Sequence, residues 1–233
     1  MKFETELIKG KLIKRYKRFL ADVELENGDV VTAHCANSGS MLSVKETGAT
    51  VWLSPSNNPK RKLKFTWEII EIEGHNVGIN TGLPNKIVEE AILAGQIKEL
   101  EGYGSLRREV KYGQNSRIDV LLEDDEKPKC YVEVKNVTLR RGDNADFPDS
   151  VTSRGAKHLR ELGDMVEEGH RSVMFYLVQR PDCKVMDIAR DIDPTYDEEL
   201  KNALKRGVEV ICYQCDVGID EIKVTTPVPV AFL

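Results

Sequence analysis

Apolar and polar residues alternate through the first third of the chain, and the period lengthens near residue 80. Phe19–Leu25 alternates with period two, and Asn27-Gly28 is a strong hairpin turn before Val30–His34. Ala49–Leu53, Leu63–Ile72 and Asn76–Asn80 are further short strands, each set off by Gly, Pro or Asn. Five or so short strands without a long helix predict a small barrel or sandwich, with an OB-type barrel as one candidate. Pro84 then opens a segment in which Ile87, Ala91 and Ala94 recur at helical spacing. Strands follow at Leu106–Tyr112, Arg117–Leu122 and Cys130–Leu139, then a helix over about Thr152–Glu168 that Gly169 stops. Ser172–Gln179 reads as a buried strand, Tyr196–Arg206 as a helix and Val208–Cys215 as a last strand. The order predicts a β-barrel over residues 1–81 and an α/β sandwich with a mixed sheet over 82–233.

Charge refines this picture. The net charge of −5 excludes a wholly basic nucleic-acid coat protein but leaves room for a local basic surface. Residues 1–80 carry about +2 and the rest about −7. Lys14, Arg15, Lys17 and Arg18 surround Tyr16 and Phe19, and Arg61 and Lys62 lie in a second basic run. Cations interleaved with aromatics suit a nucleic acid, although a solvated strand and turn would read the same way. The five cysteines are scattered, and Cys212-Tyr-Gln-Cys215 lacks a second Cys/His pair at zinc spacing. It reads as strand. Free thiols, no apolar leader and no run of about 20 apolar residues predict a cytoplasmic protein that does not enter a membrane.

The candidate chemistry lies on a hairpin. Glu133 and Lys135 share one face of their strand, and a turn of odd length centred on Glu126 would place Asp119 opposite Glu133. An even-length turn would break that pairing. Two facing carboxylates suit Mg²⁺ (or Mn²⁺), and Lys135 beside them could orient the attacking water or stabilise a phosphate, as a metal-assisted phosphodiesterase requires. An exposed Glu-x-Lys charge pair is the plainer alternative. On the second helix Arg154, Lys157, His158 and Glu161 share a face, a basic stripe able to hold a phosphate.

This hairpin between two helices resembles the PD-(D/E)xK nuclease superfamily. The resemblance implies Asp119 and Glu133 as metal ligands, Lys135 as catalytic, and Glu90 as an added helix carboxylate. The Pro that commonly precedes the motif Asp is absent, since Ser116-Arg-Ile stands before Asp119. Across the whole chain, the segments His34–Met41, Thr66-Trp-Glu68, Asn80–Asn85 and Phe147–Leu162 resemble the sugar fermentation stimulation protein A family. Ala36-Asn-Ser38 stands where that family usually has Pro-Asn-Thr. The resemblance implies a DNA-binding protein with an N-terminal OB-fold, a C-terminal nuclease-like domain and a link to sugar, particularly maltose, metabolism. Two readings follow: a metal-dependent nuclease, or a non-catalytic DNA-binding regulator of sugar-metabolism genes. A structural partner in a larger complex and a homo-oligomer are left open.

Overall fold

The computed structural model describes residues 1–232. Its first half contains β1 (Ile8–Tyr16), β2 (Leu20–Leu25), β3 (Val30–Cys35), β4 (Thr50–Pro55), β5 (Phe65–Ile72) and β6 (His75–Gly78). Antiparallel ladders join β3-β2-β1-β4-β5 in that order. A parallel pairing of β3 with β5, Ala33 opposite Phe65 through Cys35 opposite Trp67, then closes the ring. The result is a five-stranded OB barrel, with β6 added beside β5. Trp67, Leu12, Val23, Met41 and Leu53 fill its interior. Strand β1 has no clear apolar alternation because Ile8 and Ile13 are exposed among its lysines, while Gly10 and Leu12 alone are buried. Gly10 is needed there, since a Cβ would come within 2.5 Å of Val23.

The second half holds α1 (Pro84–Leu93), β7 (Ser105–Tyr112), β8 (Ser116–Glu123), β9 (Cys130–Val137), β10 (Leu139–Arg141), β11 (Asn144–Phe147) and α2 (Ser153–Glu167). It continues with β12 (Arg171–Val178), β13 (Val185–Ile188), α3 (Pro194–Lys205), β14 (Glu209–Val217) and β15 (Ile222–Pro227). The main sheet runs β15-β14-β12-β9-β8-β7, mixed, with β9, β12 and β14 parallel. Ile87, Val88 and Ala91 of α1 cover one face, against Val132, Val134 and Phe175. Leu159 and Leu162 of α2 and Leu200 of α3 cover the other, against Met174 and Tyr176. This is an α/β sandwich of the restriction-endonuclease-like kind. Cys212 faces one core and Cys215 the other, so the CxxC is strand and not a chelate.

A small sheet, β10-β11-β13, and the edge strand β15 were not expected from the pattern, because they are short or carry mixed polarity. Residues at the very start of the chain also cross between the halves. Lys2 bridges to Glu221, and the Met1 ammonium donates to the Ile222 carbonyl at 2.7 Å. No helix among the described residues is long and apolar enough to cross a membrane.

Asp193 ties the two helices of one face together. As the N-cap of α3 its Oδ1 accepts the Tyr196 N–H at 3.0 Å, and its Oδ2 accepts the Thr152 N–H at 2.7 Å, one residue before α2. Asp193→Ala removes a cap and orphans a second N–H. It should lower stability by about 2 kcal/mol in urea unfolding; a change below about 0.5 kcal/mol would contradict this role.

Candidate active site

Strands β8 and β9 pair Val120 with Val132, Leu121 with Tyr131 and Leu122 with Cys130. Continued by one residue, that register sets Asp119 opposite Glu133, as an odd turn centred on Glu126 requires. At this point β9 leaves β8, and the Val134 N–H donates instead to Asp119 Oδ2 at 2.8 Å. Asn85, in the first turn of α1, donates to Asp119 Oδ1 at 2.8 Å. Each carboxylate oxygen of Asp119 therefore has one fixed donor.

Glu133 is only 2% exposed. Its Oε1 accepts from Lys135 Nζ at 2.6 Å and pairs with His158 Nδ1, while Oε2 has no hydrogen-bond partner among the described residues. Arg154 Nε donates to His158 Nε2 at 3.3 Å, so His158 is written with its proton on Nδ1, toward Glu133. Burial alone would raise the Glu133 carboxyl, but Lys135 and His158 outweigh it and hold the group below the ordinary carboxylate range. Asp119 goes the other way. Burial first, and then the Glu133 charge, lift it to about 6 against the help of Lys135, Val134 N–H and Asn85. Tyr112, buried with its hydroxyl unpartnered, is pushed well up by burial and by Glu133, Glu161 and Asp119.

These groups open into a cleft of about 370 Å³ between the two halves. Asp119, Glu133, Lys135, Arg154 and His158 line one side, and Asn37-Ser38-Gly39 of the barrel lines the other. The barrel loop is pinned across the cleft by Asp149, whose Oδ2 accepts the Met41 N–H at 2.7 Å. Arg15 holds the same loop from behind, donating to the Asn37 and Gly39 carbonyls at 2.9 and 3.0 Å. Arg15 thus serves the cleft's architecture.

The other sequence candidates fall in several places. His158 does not lie on an exposed basic stripe: it is 3% exposed and turned onto Glu133, because that face of α2 packs against β9. Lys157 donates to the Gln114 carbonyl at 2.7 Å and sits 3.5 Å from the buried Glu161. Arg154 alone of the three remains exposed in the cleft. Glu90 is not brought to Asp119 and Glu133. Its carboxylate pairs with the Met1 ammonium at 3.0 Å, and the neighbouring Glu89 pairs with Arg108 at 3.1 Å. Lys14, Lys17, Arg18 and Lys62 are exposed on the barrel, while Arg61 bonds Thr66 Oγ1 at 2.7 Å. Asn85 and Asp149 were not assigned roles from sequence, although both lie in motifs whose length and odd chemistry set them apart.

A hard divalent cation fits this donor set. The buried Glu133 carboxylate and the half-buried Asp119 adjoin, one oxygen is without a partner, and a proton on Asp119 is the cleft's other means of relieving the repulsion. No three such acidic or imidazole groups cluster among the described residues, so water or substrate oxygens would complete the shell.

A carboxyl whose folded pKa exceeds its unfolded value binds its proton more tightly when folded. In chelator-treated protein Asp119 therefore subtracts stability as pH rises from about 4 through about 6. Asp119→Asn should remove that slope, so that stability followed in urea from about pH 4 to about pH 7 falls in the parent and not in the variant. Parallel pH–stability curves for the two proteins would refute the elevated pKa.

Comparison with known proteins agrees with both halves. Residues 13–79 match the family model described as the SfsA N-terminal OB domain, and residues 82–221 match that of the sugar fermentation stimulation protein RE domain. A sugar fermentation stimulation protein homolog of Rhodospirillum rubrum is 60% identical over 93% of both chains. One from Paramagnetospirillum magneticum is 58% identical over 97% of this chain and 96% of its own. A solved structure of Pyrococcus furiosus SfsA in complex with Ca²⁺ superposes with a TM-score of 0.89 at 27% identity, covering 99% of this chain and 97% of that one. With both domain models matched in order and relatives alike from end to end, the chain belongs to the sugar fermentation stimulation protein family.

Proposed function

We propose that this protein is a divalent-cation-dependent phosphodiesterase acting on DNA in the cytoplasm, where its five free thiols are at home. The observation that carries the reading is the convergence of Asp119 and Glu133 from adjoining strands in the inter-domain cleft, with Lys135 on one Glu133 oxygen and the other oxygen free. Asp119 and Glu133 would hold Mg²⁺ (or Mn²⁺), which when bound supplies Lewis-acid polarisation of a phosphate oxygen. The P. furiosus relative's complex with Ca²⁺, another hard divalent ion, supports a cation in this family.

The chain's own residues have distinct tasks. Hydrolysis forms one P–O bond from water and breaks one to the leaving sugar oxygen, which takes up a proton. Lys135 Nζ, which keeps two N–H bonds beyond the one to Glu133, neutralises the developing phosphate charge and orients the water. Arg154, exposed at the cleft wall, contacts a flanking phosphate. Asn85 holds Asp119 and His158 holds Glu133, so neither carboxylate must reorganise during the reaction.

A second reading, a non-catalytic DNA-binding regulator of sugar-metabolism genes, is favoured by one feature. Both Asp119 oxygens already have protein donors and no third acidic ligand joins them among the described residues, so Asp119 is held without a cation. Labelled single- and double-stranded DNA and RNA incubated with Mg²⁺ or Mn²⁺ separate the two. The phosphodiesterase reading expects cleavage that stops on chelation and falls about 100-fold or more in Glu133→Ala and in Lys135→Ala. Absence of cleavage on every substrate would leave the regulator, and cleavage that survives Glu133→Ala would refute this site as its source.

A further inference from the structure

The barrel carries a second surface that the hairpin chemistry does not use. The β1–β2 turn, at Lys17 and Arg18, takes left-handed backbone (φ 47° and 63°) and delivers Phe19 to the surface at 45% exposure. Its ring stacks on His34 of β3, with centroids 6.5 Å apart and planes 24° from parallel. Beside this pair, the β4–β5 loop brings in Arg61 and Lys62, which with His34, Ala36, Thr66 and Asn80 border a shallow depression of about 550 Å³. Burial, and next the Arg61 charge, keep His34 below its ordinary range, so its ring is neutral at pH 7.

This depression leads to the cleft. Ala36 and Asn80 border the one, and the next residues, Asn37 and Thr81, line the other. The rim is continuous, because the Thr81 N–H and hydroxyl both donate to the Ala36 carbonyl, at 2.9 and 2.8 Å. A flat aromatic pair flanked by Arg61, Lys62, Lys17 and Arg18 is chemically complementary to unpaired bases on a phosphate backbone. Paired bases offer no free faces to such a platform. The cleft beyond has a volume of about 370 Å³.

We propose that Phe19 and His34 form a stacking platform, with Arg61 and Lys62 as its phosphate contacts, that binds single-stranded nucleic acid and leads it into the inter-domain cleft. The platform stands on the barrel's own geometry. Delivery to a reacting phosphate rests on the phosphodiesterase reading above.

Binding and cleavage are therefore measured apart. Fluorescence anisotropy with a labelled 20-nucleotide oligothymidine and with a 20-base-pair duplex, without divalent cation, should give at least about tenfold tighter binding of the single strand. Phe19→Ala should lose about tenfold of that affinity, and Phe19→Trp should keep it. The half-exposed Phe19 is outside the barrel core, and unchanged thermal unfolding of Phe19→Ala confirms an intact fold. Equal affinity for the duplex, or an unaltered single-strand affinity in Phe19→Ala, overturns the platform even if the protein cleaves DNA. Single-strand binding that depends on Phe19 in a protein that cleaves nothing upholds the platform and discards the phosphodiesterase.

Discussion

A carboxylate at 2% exposure dominates the second domain, and what surrounds Glu133 follows from keeping it charged there. Burying an ionised carboxylate costs several kcal/mol unless cations and donors are supplied to it. Lys135, two residues along the same strand, supplies one charge, and His158 supplies a directed N–H from α2. The helix is placed to do this by the same inward side, where Leu159 and Leu162 pack on the sheet with Met174 and Tyr176. Its start is set by Thr152, whose hydroxyl caps the helix while its own N–H is fixed by Asp193. Packing of an ordinary amphipathic helix thus sets the environment of a single ionised group.

Asp119 is held by the same arrangement and pays for it. Its position across from Glu133 adds like-charge repulsion to burial, and its two fixed donors do not cancel both. Of the two neighbouring carboxyls one is displaced down and the other up to about 6, because Lys135 and His158 both bond to Glu133, and of these only the Lys135 charge reaches Asp119 as help. The Tyr112 hydroxyl and the second Glu161 oxygen, both buried and unpartnered nearby, extend the polar pocket without relieving it.

Much of this was legible in the chain because period-two alternation and one turn length determine a hairpin. Once Val132 and Val134 are buried, Glu133 and Lys135 must share the other face, and a centre at Glu126 fixes their partner. The barrel was legible as short strands with turn signals, but β1 was not, since lysine and arginine mask its inward Gly10 and Leu12. The fate of His158 was hidden for a different reason. Helical spacing places it with Arg154 and Lys157, yet only the tertiary packing of α2 on β9 decides that this face is internal. Glu90 shows the converse: the spacing put a carboxylate on the right helix, but α1 turns its Asn85 toward Asp119 and leaves Glu90 to the chain's own ammonium. Contacts between residues 25 and 34 positions apart, as here, are not encoded in any local period.

The two domains also need one another for the cleft to exist. Barrel residues 37–39 form one wall, and they are held by Arg15 from the barrel and by Asp149 from the nuclease-like domain. Gly39 cannot be replaced without conflict, because a Cβ there would lie 2.6 Å from an Asp149 oxygen. Further ties, Gly78 N–H to the Gln179 carbonyl and Arg140 to Glu73, fix the barrel at the sheet's end. A basic aromatic surface on a rigidly docked barrel has a constant distance to the carboxylates, which a flexible linker could not provide. That rigidity is what the proposed path from barrel to cleft requires of the fold.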